Sequence, residues 1–157
     1  MEQSTNKPIC CFQGDKHLQE TLRYWRKVLF LEHWLIKAVL VSTPINDKDN
    51  GTSLEGVNNV TPVSRAAFIQ VCQHDYKTIE KHCEELTLVH ELLHCKYAYL
   101  ENTDRTLESA VYEVEEHAKL HEMARSLLMV RYGIDFDWFR SEESRSNPIC
   151  DEQTNIN

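Results

Sequence analysis

Three things are missing from this 157-residue sequence, and each narrows its function. There is no cluster of Lys and Arg. The 17 basic residues are scattered among 25 acidic ones, for a formal charge of −8, and nucleic-acid affinity rests mainly on clustered cations facing phosphates. No nucleic-acid partner is expected. Nor is there an apolar run approaching the roughly 18 residues of a membrane span, and the opening M-E-Q-S-T-N-K-P-I-C-C-F has no secretory-type apolar stretch. The expectation is a cytoplasmic protein with no membrane partner. Finally, no C-x-x-C occurs: Cys10 and Cys11 are adjacent, Cys150 lies in a polar tail, and Cys72, Cys83 and Cys95 sit inside apolar patterns. A thiolate zinc site or a thioredoxin-like pair has no support, and reduced thiols are expected.

What is present suffices for one domain with a core, since 41% of the residues are hydrophobic and no second composition block appears. After a polar N-terminus, with Asp15 as candidate cap, helical spacing of Leu18, Leu22, Trp25, Val28 and Leu29 predicts a helix from Lys16 to about Leu31. Trp34–Val41, rich in β-branched and aromatic residues, reads as a strand, and Arg65–Cys72 as a second one with Ala67, Ile69 and Val71 on one face. Between Pro44 and Pro62 the polar text reads as a mobile loop or irregular hairpin. Asp47 and Asp49 there fail the calcium-loop register and lack its distal Glu. A long helix is expected from Leu107 to about Arg131, stopped by Gly133, with Leu120, Met123, Ala124, Leu127, Leu128 and Val130 on its apolar side. Ile134–Arg140 carries three aromatics suited to clamping that helix onto the core.

The chemistry is concentrated in E-E-L-T-L-V-H-E-L-L-H-C-K-Y-A-Y, residues 84 to 99, where His90, Glu91 and His94 spell H-E-x-x-H. A 3.6-residue period puts the two imidazoles one turn apart on one face, where both can reach one zinc ion, with the intervening Glu placed to take a proton from water. Leu86, Leu88, Val89, Leu92 and Leu93 surround the motif on nearly every side, which predicts a buried helix. The bland alternative is a pair of core histidines hydrogen-bonded to carbonyls or carboxylates. Two buried imidazoles beside a carboxylate are costly to satisfy without a cation. Following the apolar stripe of the last long helix backwards from Ala124 gives Leu120, His117 and Glu113, with Glu116 at its edge. These are the candidates for a third ligand. Cys95 follows His94 and reads as core filler, while His74 and His82 read as solvated.

The two strands, the L-T-L-V-H-E-L-L-H helix and the following helix ending in M-A-R-S-L-L resemble, over roughly residues 16 to 131, the small phage- and prophage-encoded metallopeptidases of the zincin class. The order of segments is also similar to that of the repressor-cleaving metallopeptidases of mobile elements. In those, a Glu seven residues before the alanine of an F-A-x-x-L-L segment is the third ligand. The matching position here holds His117, a departure from the pattern, and Glu113 and Glu116 stay as alternatives.

The resemblance implies an α+β, minimal zincin-like domain over residues 15–140, a small sheet packed against the H-E-x-x-H helix and a long C-terminal helix. Residues 1–14 are expected to be a flexible N-terminus and 141–157 a disordered tail. It further implies one zinc ion on His90, His94 and His117, Glu91 as general base, and a peptide or protein substrate laid along the strand Ala66–Val71, in the cytoplasm of a bacterial or phage-infected cell. No oxyanion stabiliser is named by the sequence: Tyr97, Tyr99, His121 and Tyr132 are candidates by residue type only, and a structural role is the expectation for each. The competing expectations are a zincin-fold protein that binds metal and acts by protein–protein contact without turnover, and a metal-free interaction domain.

Overall fold

Gly14 opens the first helix in place of a side-chain cap: at φ +93° it takes a backbone conformation that suits glycine, and Asp15 is the first helical residue. Helix α1 (Asp15–Val28) places Leu18, Thr21, Leu22 and Trp25 on one buried face, with Asp15 in its first turn and Arg26 and Lys27 in its last, as the helix dipole favours. The computed structural model describes residues 7–46, 53–73, 82–98 and 107–145, with the side chains of 53, 107–113 and 145 outside that description.

Strand β1 (Leu35–Val41) follows, then the short β2 (Ile45–Asn46) and β3 (Ser53–Leu54), β4 (Gly56–Thr61) and β5 (Ala66–Cys72). The main sheet is mixed, in the order β1-β5-β4: β1 runs parallel to β5, from Leu35 opposite Ala66 to Val41 opposite Cys72, and β4 runs antiparallel to β5. Strands β2 and β3 form a separate antiparallel pair. The Pro44–Pro62 stretch is therefore not a plain loop. Its G-V-N-N-V-T segment has little strand propensity of its own and is held extended by pairing with β5, through a tight turn in which the Arg65 N–H donates to the Pro62 carbonyl. Asp47 and Asp49 lie outside the described residues.

Helix α2 (Glu84–Tyr97) packs against both β4 and β5, with α1 and α3 (Leu107–Tyr132) also against it. It is buried almost all round, from Leu88, Val89, Leu92, Leu93 and Cys95 to Glu84, Glu85, His90 and Glu91, as expected of a central helix. Ala67, Ile69 and Val71 of β5, Leu18, Leu22 and Trp25 of α1, and Leu120, Ala124 and Leu128 of α3 complete one core with it. Val130, assigned to the apolar side of the last helix, is 86% exposed, one position off the buried stripe. Gly133 ends α3 at φ +64°.

Residues 7–14 and 141–145 are packed against the core, which the sequence does not suggest. Residues 9 to 12 strap the start of α2: the N–H groups of Glu84 and Glu85 donate to the carbonyls of Cys10 and Ile9, and the N–H groups of Phe12 and Ile9 donate to the Glu84 and Glu85 carboxylates at 2.6 and 2.7 Å. Phe12 is fully buried. Beyond α3, Phe136–Arg140 forms a 3-10 turn capped by Asp135, with Trp138 buried, and a second turn over Glu142–Arg145 buries Ser144 and pairs Glu143 with Lys7. The tail expected from residue 141 thus begins with packed structure. His82 is buried as well, next to Cys83, whose thiol reaches the Ile9 carbonyl under the strap.

Glu85 is the joint of the three helices. Its fully buried carboxylate accepts from Trp25 Nε1 of α1 at 2.8 Å, from Arg131 and from the Tyr132 hydroxyl of α3 at 2.9 Å, and from the Ile9 N–H. A carboxylate with no water must find its donors inside the fold, and here a cation and three neutral donors supply them. Burial and the neighbouring Glu85 carboxylate push the Tyr132 phenol well above its ordinary range, so it stays a donor. That role places Tyr132 away from the H-E-x-x-H motif.

Candidate metal centre

Helix periodicity alone sets His90 and His94 on one face of α2; the packing of α3 against α2 brings His117 to them. The ring centroids stand 4.8 Å apart for His90–His94, 4.6 Å for His90–His117 and 5.6 Å for His94–His117. One nitrogen from each of the three lies within 4.8 Å of the others, with His90 buried, His94 half-buried and His117 exposed. Glu116 is not a member of this group, and the Glu113 side chain lies outside the described residues.

The electrostatics of the group suit a cation. Burial lowers His90 to about 2, helped by the charges that His121, His94 and His117 would carry. Burial lowers His117 too, with His94 second. Imidazoles crowded together, each with a nitrogen lone pair to offer, are the donor set of a metal ion and a poor arrangement for protons. The His90 and His94 Nε2 atoms are 3.1 Å apart. Nitrogens that share one tetrahedral ion at about 2.0–2.1 Å come within roughly 3.3 Å of each other, so this pair needs little movement to bind one. Buried Nδ1 of His90 has no hydrogen-bond partner among the described residues, so no carbonyl or carboxylate there accounts for the ring as an ordinary core histidine.

Glu91 lies beside the triad, where α2 meets β4. Its carboxyl is buried, and burial raises it to about 7. The close approach depends on Gly56 of β4: a Cβ there would come within 2.6 Å of Thr87 Cγ2 and 3.3 Å of Glu91 Oε1. Asn58, two residues along the same strand, donates its Nδ2 to the Glu91 carbonyl at 2.7 Å and lies 3.2 Å from Cys95 Sγ. Cys95 is fully buried and lines neither of the two clefts described next.

Two clefts flank Glu91 along the β4–α2 seam. One, of about 290 Å³, runs past Gly56 and Thr87 to His90, His117 and His121; the other, of about 440 Å³, is bounded by Asn58–Thr61 and His94. The strand expected to carry a substrate, Ala66–Val71, is in the middle of the sheet with β1 and β4 bonded to its two edges, so it has no free edge to offer. The outer strand beside the site is β4.

His121 stands one turn beyond His117 and stacks on His90, centroids 4.1 Å apart and planes 29° apart; burial lowers it to about 4, ahead of the charges of His117, Arg125 and His94. It lines the cleft without joining the three-nitrogen group. Of the other residues named by type, Tyr97 is half-buried with its hydroxyl 3.6 Å from Met123 Sδ, and Tyr99 and His74 lie outside the described residues. Gly56, Asn58 and Thr87 carry no signal in the sequence, because their role depends on strand pairing. The H-x-x-x-H spacing of His117 and His121, by contrast, repeats that of His90 and His94 and was a usable signal.

Fold and site together define an α+β domain with a small mixed sheet and a three-histidine group that could hold a metal ion. No protein-family model, curated protein or solved structure matches the chain. Among the described residues no helix is long and apolar enough to cross a membrane.

Proposed function

We propose that this chain is a zinc-dependent metallopeptidase with a minimal zincin-like fold, in which His90, His94 and His117 hold the ion and Glu91 is the general base. The observation that carries the reading is the position of Glu91: a buried carboxyl raised to about 7, lining both clefts beside three converging imidazoles. A carboxyl near neutrality can both accept a proton and return it. When bound, zinc supplies Lewis acidity toward a carbonyl and makes water more acidic.

The residues of the chain do the rest. Glu91 takes the proton from the attacking water and delivers it to the leaving amine as the peptide bond breaks. An extended peptide is held by adding to the outer edge of β4, Gly56–Thr61, which directs its backbone along both clefts and past Glu91. Gly56 lets the strand approach α2 closely enough for this. His121, neutral and beside His90, stands within the cleft as a donor toward developing negative charge.

The second reading, metal-dependent protein–protein contact without turnover, draws on the same His121. A fourth imidazole on the ion would close its shell and leave no position for chemistry. Its stacking against His90, outside the three-nitrogen group, favours the open arrangement. The test is zinc stoichiometry together with cleavage of a mixed peptide library by the parent and by Glu91→Gln. Hydrolysis by the parent alone, with zinc in both, supports the peptidase. One zinc per chain and no hydrolysis of any peptide supports the second reading.

A further inference from the structure

The two clefts beside Glu91 differ in charge. On the Asn58–Thr61 side the only acid among the described residues is Glu91 itself, and the rest of the described wall is amide, hydroxyl, Val60 and His94. The other side adds a second carboxylate, Glu55, just before β4, with Leu54 and Leu86 also in the wall and no Lys or Arg among the described lining residues. His90, His117 and His121 complete that wall.

Glu55 is fixed in place by its backbone: its carbonyl accepts from the Cys72 N–H at 2.8 Å, which anchors it to the end of β5. The side chain is exposed, with Thr87 Oγ1 at 3.5 Å as its one hydrogen-bond partner and no cationic partner among the described residues. An exposed carboxylate on a cleft wall that also holds two leucines offers a negative group beside apolar surface. That is complementary to an aliphatic stem ending in a cation.

We propose that this half of the groove receives a positively charged group, the ammonium or guanidinium of a substrate side chain or a free chain terminus, with Glu55 as its counter-charge and the determinant of specificity. The inference rests on the peptidase reading for the groove. Because Glu55 precedes β4, the location of the charge depends on strand direction. A peptide antiparallel to β4 places the charge after the cleaved bond; a parallel one places it before. The chain's net charge of −8 adds long-range attraction for cationic peptides.

The experiment is calorimetric titration of the zinc-loaded Glu91→Gln protein with extended peptides matched except for Lys or Arg against Leu at one position, each with acetylated and free N-termini. Cationic peptides are expected to bind about tenfold more tightly, with the preference shrinking as salt is raised. Glu55→Gln should abolish the preference, and Glu55→Lys should reverse it toward peptides bearing Glu, with far-UV circular dichroism confirming the fold of each. A preference that survives acetylation identifies a side chain, and one that does not identifies the terminus. Equal binding of cationic and neutral peptides, no binding of either, or an unchanged preference in Glu55→Lys overturns the proposal. Charge-selective binding without hydrolysis by the parent would sink the peptidase reading alone, and hydrolysis without charge selection would sink this one alone.

Discussion

The Nε2 atoms of His90 and His94 stand 3.1 Å apart across one turn of α2, with a nitrogen of His117 completing a group no wider than 4.8 Å. Three imidazole donors this close gain from a shared cation. Zinc at a hundredfold excess over its dissociation constant should stabilise the fold by about 2.7 kcal/mol, read as a melting temperature raised by several degrees and reversed by chelator. His90→Ala and His94→Ala should remove the shift. His117→Ala should weaken zinc binding by at least roughly 100-fold, beyond the usual loss of an outer-shell partner, while Glu116→Ala leaves it unchanged. Retention of zinc by His117→Ala with loss in Glu113→Ala or Glu116→Ala would move the third ligand.

The metal-free protein should lose stability on acidification. His90 and His121 are held at about 2 and about 4, and His117 is lowered, against an ordinary 6.5; below that pH the unfolded chain takes up protons that the folded chain refuses. Stability therefore falls as pH drops from 6.5 toward the folded values. Glu91 opposes this. Raised to about 7 from 4.5, it keeps its proton in the fold, so its contribution is full below 4.5 and is lost as pH rises through 7. Three histidines outweigh one carboxyl, and the decline should steepen below 4.5, where Glu91 no longer changes. Melting temperatures in chelator from pH 7 to pH 4 check this; a flat or rising profile contradicts it.

Glu85→Gln should destabilise the fold by roughly 3–5 kcal/mol, because the substitution breaks a buried pair with Arg131 and disturbs donors from Trp25, Tyr132 and Ile9. Zinc stoichiometry of the folded fraction should be unaffected, since Glu85 lies more than one turn before His90. Denaturant titration beside metal analysis separates the two effects.

Gly56→Ala tests the seam between β4 and α2. The added methyl would meet Thr87 Cγ2 at 2.6 Å and the Gln70 carbonyl at 3.2 Å, so the strand must move from the helix. A cost of about 1–3 kcal/mol is expected, with a larger fractional loss of peptide cleavage than of zinc affinity. Equal losses in both would place the strand's role in supporting the metal site.

How much of this was written legibly in the sequence follows the range of the interactions. His90, Glu91 and His94 were legible because helical period is local, and His117 because it continues the apolar stripe of one helix. Strand order is not legible, since nothing in A-A-F-I-Q-V-C says that both of its edges are taken, and the edge open to a substrate is that of β4 and not of β5. Strand β4 was hidden by its Gly and Asn residues, whose extended form comes from pairing. Glu84, Glu85 and residues 9 to 12 look solvated when read alone. Glu84, Glu85, Cys11 and Phe12 are buried and Ile9 and Cys10 half-buried because each segment supplies what the other lacks, carboxylates for backbone N–H groups.

The central claim is that Glu91 does chemistry beside a metal held by histidines. Its most direct test is peptide hydrolysis by the zinc-loaded parent and Glu91→Gln, with zinc per chain measured on the same samples. The account predicts about one zinc in each and a rate lower by about 10²–10⁴-fold in the variant, the range that general acid–base catalysis supplies. Zinc-loaded parent and variant cleaving at the same rate, or a parent that binds no zinc, would contradict it.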